Sequence, residues 1–170
     1  LERLFALLRI KSISADPAFA GDCKAAADHL AKDIASLGVA TEVRPTAGHP
    51  AIVGKTQGDG KSGGRPHVIF YGHYDVQPVD PVDLWESPPF EATIRDGEIY
   101  ARGSADDKGQ VFMHFKAIEA HLKQQGTLPV NIKVVLEGEE EVGSVNLDNF
   151  VRASKTMLAS DVVVISDSAM

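Results

Sequence analysis

NIKVVLEGEEEVGS, residues 131–144, is an apolar run that breaks at a glycine into three consecutive glutamates and a Gly-Ser. Its length and its Val/Ile/Leu content read as a buried strand. Similar runs surround it: HVIFYG (67–72), EIYARG (98–103) and DVVVISD (161–167). Between them lie the helical patterns DKGQVFMHFKAIEAHLKQQG (107–126) and NLDNFVRASKTML (146–158). Continuous apolar strands separated by helices predict an α/β fold of three layers, with a largely parallel, mixed central sheet flanked by helices on both faces.

Upstream, LERLFALLRIKSIS (1–14) places Leu4, Leu7 and Leu8 at helical spacing. DCKAAADHLAKDIASLG (22–38) does the same with Ala26, Leu30, Ile34 and Leu37 before Gly38 stops it. VATEVRP (39–45) and AIVGKT (51–56) read as short strands, and TQGDGKSGGRP (56–66) as a polar, Gly-rich connector. No helix follows that connector, so it does not read as a phosphate cradle.

The chain has 170 residues, 44% of them hydrophobic, which suits one globular domain. Its 17 basic against 24 acidic residues give a net charge of -7. With no basic run or interleaved aromatic patch, a nucleic-acid partner is not expected. No segment approaches the roughly 18 apolar residues of a membrane span. The opening residues lack the basic lead and cleavage site of a signal peptide, so a cytoplasmic protein without a membrane partner is expected. The single cysteine, Cys23, makes neither an internal disulfide nor a thiolate metal site, and reads as a small packed residue on a helix.

The acids explain the glutamate triplet. His73 and Asp75 follow HVIFYG, Asp106 and Asp107 follow EIYARGSA, Glu139, Glu140 and Glu141 follow NIKVVLEG, and Asp167 ends DVVVISD. Ligands of open α/β sheets bind outside the carboxyl ends of the strands, so these four segments are expected to converge. Singly, each has an ordinary reading: a satisfied polar His, a solvated acidic face, negative charges at a helix N-terminus, a strand-end turn. Jointly they form a cluster too acidic to stay ionised unless cations neutralise it, and two divalent metal ions would do so. An Asp two residues beyond a ligating His in extended chain projects the same way and can hold the other ring nitrogen. Adjacent glutamates can divide the work, one on metal and one on water. His29, His49, His67, His114 and His121 lie outside this pattern. His114 and His121 are seven apart on one helix rather than four, so they read as surface or packing residues.

With these residues in view, the chain resembles the catalytic domain of the co-catalytic di-zinc peptidases, the family of carnosinase, carboxypeptidase G, aminoacylase, acetylornithine deacetylase and succinyl-diaminopimelate desuccinylase. The resemblance rests on YGHYDVQP, LWESPPF, DGEIYARGSADDKG, LEGEEEVGS and VVVISDS, and its wording is nearest the carnosinase-like dipeptidase branch. It implies that His73 and Asp167 hold one metal, that Asp106 bridges both, and that Glu141 holds the second. Asp75 then orients His73, Glu140 is the general base, and Glu139 is a bystander. A cis peptide between Asp106 and Asp107 is also implied.

The resemblance further implies that residues 1–170 are the N-terminal part of the catalytic domain. The family's second-metal His, its lid domain and the homodimer contacts of that lid match nothing before Met170, so this segment by itself is expected to be inactive. The implied reaction is amide hydrolysis in dipeptides or short peptides by a metal-activated water. The alternatives are an N-acyl amino acid deacylase and a non-catalytic metal-binding scaffold. Zinc is the implied metal; carboxylate-rich ligation with one imidazole also suits manganese or cobalt. Trp85 and Phe90 of LWESPPF read equally as packing under the site or as ligand contacts.

Overall fold

A computed structural model describes residues 1–56 and 64–168, so most of the Gly-rich connector lies outside the described residues. The strands in chain order are β1 (Val39–Arg44), β2 (Ala51–Thr56), β3 (His67–His73), β4 (Thr93–Arg95), β5 (Glu98–Tyr100), β6 (Asn131–Glu137) and β7 (Val162–Ile165). The helices are α1 (Glu2–Leu8), α2 (Ala20–Ala35), α3 (Lys108–Gln125), α4 (Leu147–Ala153) and α5 (Lys155–Leu158). Five strands form one sheet in the order β1-β2-β6-β3-β7. β6, β3 and β7 run parallel, while β2 is antiparallel to both β1 and β6. The sheet is therefore mixed, and its parallel half carries the acids.

Alternation sets the layers. Ile132, Val134 and Leu136 of β6 point to one face and join Ile52 of β2 in a core with Cys23, Ala26, Ala27, Leu30 and Ile34 of α2 and Val111, Phe115 and Ile118 of α3. Val53 and Val135 lie on the other face, where Met157 and Leu158 of α5 line a pocket with Val53 and Lys133. Cys23 is buried as expected, and burial pushes its thiol up to about 12. The sequence pattern of 146–158 reads as one helix; the structure breaks it into α4 and α5 at the buried Ser154. Among the described residues, no helix is long and apolar enough to cross a membrane.

One strand expectation is overturned. EIYARG is not a buried member of the sheet: β5 pairs only with β4, in a separate antiparallel hairpin, and Glu98 and Tyr100 are exposed. The reason is local. Asp96 and Gly97 both have positive φ, 51° and 87°, the backbone of a two-residue hairpin turn, and Asp-Gly is a pair that favours it. LERLFALLRIKSIS likewise stops being helical at Leu8, and the chain turns at Arg9 and Ile10 before Ile13 bridges Val76.

An ion cluster ties the first three helices together. Arg3 of α1 donates to Asp33 of α2 at 2.6 Å and to Glu119 of α3 at 2.8 Å, and Lys116 and Lys123 each reach Glu119 at 2.6 Å. Hydrogen bonds from Lys116 and then Lys123 hold the Glu119 carboxyl down at about 2, against an ordinary 4.5. A depressed carboxylate stabilises the fold above its unfolded pKa, and that contribution is lost as pH falls from about 4.5 towards 2. Because Lys123 is largely exposed and Lys116 partly so, Glu119→Gln is expected to cost no more than about 1 kcal/mol at pH 7. Urea unfolding of both proteins from pH 7 to pH 3 should show the gap narrowing with acid; a constant gap would mean that the amide loses packing rather than charge.

Candidate metal centre

The carboxyl ends of β3, β6 and β7 open on the same side of the sheet, and each delivers acids or the histidine there. His73 is the last residue of β3 and is fully buried, its Nε2 included. Asp106 Oδ1 stands 3.0 Å from that nitrogen, Asp167 Oδ2 at 3.7 Å and Glu140 Oε2 at 3.9 Å. One ligand atom from each of His73, Asp106 and Asp167 can be chosen so that all three lie within 4.8 Å of one another. Asp106 does not come from a strand end as the sequence pattern suggests. It sits on the loop that leaves the β4–β5 hairpin and starts α3, and the peptide bond to Asp107 is cis, as the resemblance implies.

Asp75 is buried beside the ring and gathers three segments. Its Oδ1 lies 3.3 Å from His73 Nδ1 and accepts from the Glu140 amide at 3.3 Å. Its Oδ2 accepts from the Glu141 amide at 3.1 Å and from Ser14 Oγ at 2.6 Å. His73 Nδ1 also faces the Asp75 carbonyl at 3.1 Å, so both oxygens favour the proton on Nδ1. That tautomer leaves the Nε2 lone pair pointing at the carboxylates.

The three glutamates have three environments. Glu139, which the resemblance leaves as a bystander, is buried, and its two carboxylate oxygens each accept from Asn146 Nδ2 at 3.0 Å, so it staples the loop. Glu140 turns towards His73. Glu141 Oε2 accepts from Gln77 Nε2 at 2.6 Å and is not one of the His73–Asp106–Asp167 group. Beneath them Glu137, also buried, accepts from Tyr71 at 2.5 Å and from Ser144 at 2.9 Å. Sequence reasoning passed over Gln77, Tyr71, Glu137 and Ser144. YGHYDVQP and LEGEEEVGS contain all four, but nothing in their spacing says which polar residues face one another.

Two observations fit the donor set to a cation. His73 Nε2 is buried with no hydrogen-bond partner, although three carboxylates surround it. Burial works against charge on His73, yet Asp75, Asp107 and Asp106 outweigh it and lift the imidazole to about 9, so the site calls for positive charge. Burial also raises Asp107, to about 6, and raises Glu141. The other histidines stay outside the cluster. His114 is half-buried against Phe70, its ring 4.7 Å away, and its Nε2 lies 2.6 Å from Ser166 Oγ. Trp85 donates to the Val79 carbonyl at 2.9 Å, and Phe90 packs with Ile13 and Val76.

Comparison with known proteins points the same way. Residues 69–167 match the sequence profile of peptidase family M20/M25/M40. A Beta-Ala-His dipeptidase of Rattus norvegicus is 42% identical over 121 residues, covering 70% of this chain and 24% of its own. A Cys-Gly metallodipeptidase of Schizosaccharomyces pombe is 33% identical, covering 98% of this chain and 37% of its own. The crystal structure of human carnosine dipeptidase 1 superposes with a TM-score of 0.90 at 32% identity, covering 99% of this chain and 38% of that one. An M20 family metallo-carboxypeptidase from Sulfolobus solfataricus gives 0.86 at 38% identity, covering 98% and 36%. The chain thus spans between about a quarter and two fifths of the length of these relatives.

Proposed function

The chain belongs to peptidase family M20/M25/M40, and on that premise we propose that its full-length protein hydrolyses the amide bond of dipeptides or short peptides with two divalent metal ions, zinc first among them. The observation that carries this reading is the buried, unpartnered His73 Nε2 facing Asp106, Asp167 and Glu140 within 4 Å. His73 and Asp167 would hold one ion, Glu141 the other, and Asp106, whose carboxylate is more than half exposed, has an oxygen to offer each. When bound, the ions supply a Lewis acid that brings the ionisation of water near neutral pH and polarises the scissile carbonyl.

The remaining work falls to the chain. Asp75 keeps the proton on His73 Nδ1, so the ring meets a cation through Nε2. Glu140 takes the proton of the attacking water and passes it to the departing amine, a task for a carboxylate that is not itself committed to a metal. Asp75 accepts from the Glu140 and Glu141 amides, so the base and the second carboxylate are registered against the histidine by one residue.

The test is amine release by the full-length protein from a panel of dipeptides and N-acyl amino acids, with zinc or manganese, and again after exhaustive chelation. Dipeptide cleavage that disappears on chelation and returns with metal is the expected result. Cleavage confined to N-acyl amino acids would assign a deacylase, and cleavage that survives chelation would overturn the metal reading.

A further inference from the structure

The segment after α1 is held along the site although nothing in its sequence marks it. Lys108, fully buried in the first turn of α3, donates to the Ile10 carbonyl at 2.6 Å and reaches Leu7 O at 3.4 Å, anchoring the end of α1. Ser12 Oγ donates to the Tyr74 carbonyl at 2.6 Å, the Val76 amide donates to Ser12 O at 2.9 Å, and Ile13 pairs with Val76. Residues 10–14 therefore form a strap beside the chain that carries His73 and Asp75. Ser14 ends this strap with the shortest of the contacts made to the Asp75 carboxylate, 2.6 Å, against 3.1 to 3.3 Å for the others.

We infer that Ser14 is a positioning residue for the metal centre: its hydroxyl fixes the rotation of the Asp75 carboxylate, and through it the His73 ring and the Glu140–Glu141 turn. The inference rests on the metallopeptidase reading above. The χ2 torsion of an aspartate is broad, so the plane of the carboxylate is set by its hydrogen bonds rather than by an intrinsic rotamer well. Each Asp75 oxygen has two donors. Oδ1 faces His73 Nδ1 and the Glu140 amide, both at 3.3 Å; Oδ2 faces the Glu141 amide and Ser14. Without the Ser14 hydroxyl, the carboxylate keeps three donors at 3.1 to 3.3 Å and loses the shortest contact that fixes its plane. Losing the hydrogen-bonding partner of a metal-binding histidine weakens metal affinity or activity by roughly 10- to 100-fold, and Ser14 holds that partner rather than the histidine, so the lower end is expected.

The experiment compares full-length wild type, Ser14→Ala and Ser14→Thr. Zinc affinity is measured by competition with a chromophoric chelator, kcat and KM on a cleaved dipeptide, and thermal unfolding in the metal-free state. For Ser14→Ala, zinc affinity about 10-fold weaker and a lower kcat at unchanged KM are expected. Metal-free unfolding should shift little, and Ser14→Thr, which keeps the hydroxyl, should restore both affinity and kcat. Wild-type zinc affinity and kcat in Ser14→Ala would overturn the role of Ser14 while leaving the metallopeptidase reading intact. A failed rescue by Thr, with an equal drop in metal-free stability, would overturn it in favour of simple packing. A wild type that binds no zinc would overturn the metallopeptidase reading, and this inference with it.

Discussion

Glu140→Gln in the full-length protein is expected to lower kcat by about 10²- to 10⁴-fold while leaving metal affinity within a few-fold of wild type. The split follows from where the three glutamates point. Glu139 is spent on Asn146, and Glu141 is held by Gln77, whereas Glu140 faces the cluster from 3.9 Å with a carboxylate that is more than a third exposed. Gln keeps the size of the side chain and the backbone hydrogen bond from residue 140 to Asp75, so the loop should stand and the site should keep its charge balance within one unit. What Gln cannot do is take a proton from water. Glu141→Gln should show the opposite balance, with metal affinity falling along with turnover. Steady-state kinetics paired with chelator competition measures both quantities. If Glu140→Gln kept wild-type turnover, the base would have to be sought elsewhere in the cluster.

Residues with strong, local signals behaved as the sequence implied. Val134, Val135 and Leu136 could only be a buried strand, and the acids placed after β3, β6 and β7 arrive together because parallel strands must present their carboxyl ends on one side. The resemblance supplied the cis bond at Asp106, which no spacing argument would give. EIYARG misled because Ile and Tyr suit a strand in either setting. The deciding signal was the preceding Asp96-Gly97, which closes a hairpin and removes the segment from the sheet.

The supporting shell was harder to read, for a physical reason. Ser14 meets Asp75 across 61 positions, Tyr71 meets Glu137 across 66, and Gln77 meets Glu141 across 64, so each pair exists only once the sheet has formed. Lys108 is the extreme case. Lysine is among the residues least often buried, yet here it is fully enclosed, with the Ile10 carbonyl just beyond α1 and the Leu7 carbonyl in its last turn as acceptors.

Gly109→Ala should lower stability by about 1–3 kcal/mol and weaken metal affinity at the same time. Gly109 lies in the first turn of α3, where its amide donates to the Gly103 carbonyl at 3.2 Å, so the loop carrying Asp106 closes back on it. A Cβ at this position would stand 1.9 Å from Ser104 O and 2.9 Å from Ser104 C, both backbone atoms. A side chain could swing aside from such a contact; a backbone carbonyl can move only by shifting the loop that holds Asp106 3.0 Å from His73. Gly21→Ala provides the contrast. Gly21 sits exposed in α2, where an added Cβ would meet nothing within 4 Å, so its replacement should be neutral or stabilising by up to about 1 kcal/mol, because alanine favours helix over glycine. Thermal unfolding of the two variants should therefore move in opposite directions or leave Gly21→Ala unmoved. Wild-type stability and zinc affinity in Gly109→Ala would show that the loop can open without disturbing Asp106, and that its tight closure is not what aligns the centre.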